Sequence, residues 1–134
     1  MYKSRLIATE YLIAGNPEAP ADLLRKLAGS SDSATRARVA ENRSTPLTTV
    51  VILLNDPDPD VRIGLSFNPS LPTMFLTQLA NDDNPDVRLL LAENSRLPQF
   101  VLEILSKDEN PYVARRASQT LSRIAKSSLT KAIA

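Results

Sequence analysis

Five arginines come nearest to a chemistry in this chain. Arg36, Arg62 and Arg88 recur every 26 residues, and Arg115 and Arg116 stand close to the next position. Guanidinium groups in such a column would suit the phosphates of a nucleic acid or the carboxylates of an acidic peptide. The column also reads as a structural ladder, each guanidinium bonding a carbonyl or carboxylate of a neighbouring turn, such as Asp60 or Asp86. The acids beside it favour the ladder. A second column, Asn16, Asn42, Asn68 and Asn94, could read an extended peptide backbone with its amides. An asparagine repeated before a turn more often satisfies groups of its own loop. The acid pairs Asp82/Asp83 and Asp108/Glu109 lack the glycine and alternating ligands of a calcium loop, so they read as solvated.

Other chemistries lack their residues. The chain has no cysteine and no histidine, which removes thiolate sites, disulfides, the commonest general base and the commonest zinc ligand. There is no glycine-rich phosphate loop, no Ser-His-Asp set and no metal-ligand spacing. The expectation is a protein that is not an enzyme and holds no cofactor or metal. Its 134 residues suit one domain, and a net charge of +1 does not steer the whole molecule towards nucleic acid or an anionic membrane. Aromatics for stacking on bases make up only 4%. The apolar run near the N-terminus, Leu6-Ile7-Ala8 and Tyr11-Leu12-Ile13-Ala14, is interrupted by Thr9 and Glu10. It reads as an amphipathic helix rather than a signal peptide, and no stretch approaches the length of a membrane span. The expected compartment is the cytoplasm, with no membrane partner.

The elements that would position these residues follow from the same period. Pro20, Pro46, Pro72 and Pro98 lie four residues after the asparagines, and Leu27, Leu53, Leu79 and Leu105 form a further column. Asp32, Asp58, Asn84 and Asn110 form another, followed by Pro59, Pro85 and Pro111 in three copies. An N-cap acceptor ahead of a proline predicts helix starts near 33, 59, 85 and 111. This first helix presents pairs such as Val61 and Leu65 on one side. Phe67 to Leu71 breaks it, and Pro72 opens a second helix carrying Phe75, Leu76 and Leu79 inward. Two short helices cannot bury their apolar faces alone, but stacked neighbours can. The chain therefore reads as one all-α solenoid domain, residues 1–134, of about five 26-residue two-helix repeats. Its units run about 1–28, 29–54, 55–80 and 81–106, with a capping unit at 107–134. In the last, Thr120 replaces the asparagine and no proline follows. One longer helix is expected there, through Leu121, Ile124 and Ala125, with Arg115, Arg116, Arg123 and Lys126 facing water.

The motifs Asp58-Pro59-Asp60-Val61-Arg62, Asn68-Pro69-Ser70-Leu71-Pro72 and Leu76-Thr77-Gln78-Leu79-Ala80 resemble the leucine-rich repeat variant family. Asn84-Pro85-Asp86-Val87-Arg88 and Asn94-Ser95-Arg96-Leu97-Pro98 repeat the match. The likeness spans nearly the whole chain and is best over residues 56–106. It implies a bacterial protein among the HEAT- and armadillo-like α-solenoids, with paired helices in a right-handed α-α superhelix, one of each pair short and of 3₁₀ character. The units here are slightly longer than that family's. Its founding member carries a cysteine-ligated iron–sulfur module, which a chain without cysteine does not inherit. The resemblance implies macromolecular interaction and no particular chemistry.

Positions that vary between units say more about partners. On the second helix these are Asp22, Thr48, Met74 and Phe100; Arg25, Val51, Thr77 and Glu103; and Lys26, Ile52, Gln78 and Ile104. Ile52, Met74, Phe100 and Ile104 would make either an apolar partner patch or part of the core. The expected function is a non-enzymatic scaffold or adaptor that binds a protein or peptide. The alternative is nucleic-acid binding along the phosphate backbone through Arg36, Arg62, Arg88, Arg115 and Arg116. Oligomeric state is not legible.

Overall fold

The computed structural model describes residues 2–134, and these form nine α-helices with no strand. The expected first unit opens at Met1, which lies outside the described residues. Helix starts follow cap chemistry. α3 (Ser33–Glu41), α5 (Pro59–Ser66), α7 (Pro85–Glu93) and α9 (Pro111–Ile133) begin where the repeat predicts. Asp32 accepts from the Thr35 amide, Asp58 from Asp60, Asn84 from Asp86, and Asn110 from Tyr112 and Val113. Each cap satisfies a donor that has no partner within its helix, and a proline at the first position gives up no bond.

The alternate helices are α2 (Ala21–Leu27), α4 (Leu47–Leu54), α6 (Thr73–Ala80) and α8 (Gln99–Leu105), with α1 spanning Tyr2–Ala14. Pro20, Pro46 and Pro98 are the N-cap residues of their helices, one place before the first helical position. The ring fixes φ, and the carbonyl takes the first helical bond, as when the Val50 amide donates to Pro46 at 3.0 Å.

The chain divides into two compact units, Met1–Phe75 and Leu76–Ala134. In the first, α3 packs against both α1 and α5, α2 packs on α1 and α3, and α4 packs on α3 and α5. Leu24, Leu27, Val39, Val50, Leu53, Val61 and Leu65 are buried there. Gly64 lets α5 lie close against α3: a Cβ at Gly64 would sit 2.9 Å from the Ala37 carbonyl oxygen. In the second unit α7, α8 and α9 pack on one another around Leu79, Val87, Leu91, Leu102, Leu105, Val113 and Ala117. Each fully buried leucine contributes about 2 kcal/mol, so these repeat columns supply most of the drive to fold.

Helix ends differ between the units for a local reason. Asn42 leaves the helical backbone at the end of α3, with φ −76° and ψ 120°. Thr120 occupies the same place in the repeat but stays helical. α9 therefore runs on for 23 residues, through Leu121, Ile124 and Ala125 as expected. Leu121 and Ile124 are half-buried, whereas Ala125 and everything beyond it are exposed.

Candidate functional site

The arginine column sits one turn into α3, α5 and α7. Arg36 donates from Nε and Nη2 to the two carboxylate oxygens of Asp56 at 2.8 and 3.1 Å, and from Nη1 to the Ser30 carbonyl at 2.9 Å. Arg88 repeats the pattern, with Asp108 at 2.8 and 3.2 Å and the Asp82 carbonyl at 2.6 Å. Arg62 donates from Nη1 to the Asp56 carbonyl at 2.7 Å. All three are partly or largely recessed from solvent. A two-point fork on a carboxylate plus a backbone carbonyl uses the planar guanidinium fully.

The hydrogen bond to Asp56 outweighs burial and pushes the Arg36 guanidinium above its ordinary value, and that to Asp108 does the same for Arg88. Burial alone would push the Asp108 carboxyl up. The Arg88 and Asn110 hydrogen bonds, with the charge of Arg88, outweigh it and hold that carboxyl below its ordinary value.

The acids that engage the column are not the neighbours Asp60 and Asp86. They belong to a further column, Ser30, Asp56, Asp82 and Asp108, two residues before each N-cap. Asp56, Asp82 and Asp108 each accept the backbone amide two residues on at 2.9 Å, and Ser30 does so with its hydroxyl at 3.2 Å. Asp108 is thus not a solvated loop acid: its side chain is only 8% exposed and is ion-paired to Arg88. The period that exposed the arginines was the signal for these acids too.

Two members of the asparagine column turn inward, Asn42 and Asn68, whereas Asn16 is exposed and Asn94 half-buried, each accepting the backbone amide two residues on. The Asn42 amide donates to the carbonyls of Ala14 and Asn16, both at 2.8 Å, and its oxygen accepts from Ser44. Asn68 does the same 26 residues on, with Ala40, Asn42 and Ser70. Both donors of each amide are in use, so neither is free to read a peptide. Thr120 keeps one such bond, donating to the Ala92 carbonyl at 2.6 Å.

Ile52, Met74, Phe100 and Ile104 are 59%, 70%, 46% and 39% exposed, so none is a core residue. The sequence reading missed Leu47, which lies exposed with Ile52 and with Val51, one of the variable positions. The outer face of α4, Leu47, Thr48, Val51, Ile52 and Asn55, carries no charge at all.

α9 is the opposite case. Five of the sixteen basic residues and none of the fifteen acids fall within residues 111–134, so this stretch carries +5 and the remainder −4. Arg115, Arg116, Arg123 and Lys126 border an open depression of about 610 Å³ with Ser118, Gln119 and Ser122. Arg116 pairs with Glu93 at 2.6 Å, and Arg123 touches the Thr120 hydroxyl at 3.3 Å. Arg115 and Lys126 have no hydrogen bond or ion pair among the described residues.

Comparison with protein-family models, with curated proteins and with solved structures gives no match. Among the described residues no cluster of His, Cys, Asp and Glu could hold a metal ion, and no helix is long and apolar enough to cross a membrane.

Proposed function

We propose that this chain is a non-enzymatic binding module, an α-solenoid of about five two-helix units whose second-helix faces receive a protein or peptide. The carrying observation is the uncharged outer face of α4, where Leu47, Val51 and Ile52 stand exposed. Exposed apolar side chains gathered on one helix face, rather than scattered singly, mark partner surfaces. Exposure of Met74, Phe100 and Ile104 at equivalent helix positions supports the same reading. The stacking of units is supported by the recurrence of the Asn42 bonds at Asn68, displaced by 26 residues in both donor and acceptors. The right-handed superhelix is what the family resemblance implies for such units.

The test compares wild type with Leu47→Ser/Ile52→Ser and with Met74→Ala/Phe100→Ala in affinity capture from nuclease-treated bacterial lysate. A specific protein captured by wild type should be lost with at least one of the pairs while thermal stability changes little, because surface changes of this kind shift it slightly. Partners retained equally by all three proteins would reject these faces as the binding surface.

A further inference from the structure

We propose that the outer face of α9 is a docking surface for the phosphodiester backbone of a nucleic acid. Tyr112, Arg115, Arg116, Gln119, Arg123 and Lys126 recur at three- and four-residue steps, which places them on one side of the helix. All six are exposed. The cations from Arg115 to Lys126 span about 16 Å of helix, long enough to meet several successive phosphates. Clustering of Lys and Arg along one helix is part of the electrostatic footprint of nucleic-acid binding.

Three observations favour this occupant over the other anionic ones. Between Arg115 and Lys126 the face interposes Ser118, Gln119 and Ser122, hydrogen-bonding groups of the kinds that contact phosphates. Between Arg115 and Lys126 no large apolar side chain is fully exposed to enter a bilayer, as interfacial helices require: Leu121 and Ile124 are half-buried, and the exposed Leu129 and Ile133 lie beyond Lys126. Exposed Tyr112 stands at one end of the row, placed to stack on an unpaired base. The arrangement contacts the backbone without reading sequence. It uses a different surface from the second-helix faces and does not depend on what they bind.

The experiment measures fluorescence anisotropy of a labelled oligothymidylate of roughly 20 nucleotides, and of a duplex of the same length, titrated with the full chain. Four cations releasing counterions from a single strand should weaken binding about 50-fold between about 50 and 200 mM salt. Arg115→Gln/Lys126→Gln removes two unpaired charges. It should bind at least about tenfold more weakly at the lower salt, and its loss over the same range should shrink to about sevenfold. Arg43→Gln/Arg96→Gln removes two exposed charges elsewhere and should stay within about twofold of wild type. No binding at the lower salt overturns the proposal, and so does equal weakening by both pairs. Displacement of the oligonucleotide by polyglutamate at matched charge would make the surface a site for acidic protein instead. Co-sedimentation with phosphatidylserine vesicles without oligonucleotide binding would make it a membrane site.

Discussion

Arg88 and Arg115 belong to the same compact unit and lie 27 positions apart, yet their side chains meet opposite conditions. Arg88 is 11% exposed and spends its guanidinium on Asp108 and the Asp82 carbonyl. Arg115 is exposed and bonds nothing among the described residues. Register separates them: the repeat equivalent of Arg88 is Ala114, so Arg115 stands one residue, about 100°, further round its helix. Asp108, recessed two residues before the cap of α9, draws Arg88 into the structure. Arginines of one chain thus divide into those that hold helices together and those left to act on something else.

The sharpest way to break this comparison is to remove the carboxylate. Asp56→Ala should cost about 3 kcal/mol in urea unfolding, because it strands the recessed Arg36 charge and also frees the Asp58 amide. Arg36→Met/Asp56→Asn removes both charges but keeps an acceptor for that amide, so it should be less destabilised than the single change. A double variant as unstable as Asp56→Ala would show that the pair is not what fixes Arg36. The second unit supplies the pH counterpart. Asp108 has a folded-state value below the ordinary aspartate value of about 3.9. Its contribution is therefore complete above that value and is lost as pH falls through the lower, folded-state one. Urea midpoints at pH 5 and pH 3 should differ more for wild type than for Asp108→Asn.

Next in size is the asparagine column. Asn42→Ala removes two donors from buried carbonyls and an acceptor from the Ser44 amide, and should cost about 2 kcal/mol. Thr120→Val loses one buried bond, to Ala92, and should cost about half as much. Equal losses in urea unfolding would mean that the number of bonds does not set the cost.

The helix starts at 33, 59, 85 and 111 and the buried leucine columns were legible in the sequence because each depends on residues within a few positions. A cap acts on its own first turn, and a leucine at helical spacing needs only some neighbour to face. Asp56 and Asp108 were not legible as structural acids. An aspartate beside a loop resembles every solvated aspartate until an arginine 20 residues earlier folds onto it. For the candidate surfaces, the exposure of Ile52 and Met74 came from variation across units. Leu47 was hidden by its type, because a leucine at the start of a helix looks like core until no neighbour covers it.

An effect of opposite sign tests whether every interior polar group is as well served as Asp56. Thr49 has a buried hydroxyl with no hydrogen-bond partner among the described residues. Its repeat equivalents, Phe75 26 residues on and Val101 52 residues on, show that an apolar residue suits this place in the repeat. Thr49→Val keeps the shape and removes the orphaned group, so it should stabilise by about 1 kcal/mol in urea unfolding. No gain would imply that the hydroxyl is hydrated in solution.

The smallest effect belongs to the exposed side of the comparison. Arg115→Gln/Lys126→Gln touches no ion pair and no buried atom, and glutamine is as good a helix former as the residues it replaces. Its melting temperature should stay within about 2 °C of wild type, while Arg36→Gln, at a recessed and paired position, falls well below. The contrast matters more than either value. If both variants melted alike near wild type, the Arg36–Asp56 pair would be ornamental and the column would become available to a ligand. If both fell together, α9 would be held by its cations, and its basic face could no longer be treated as a surface waiting for a partner.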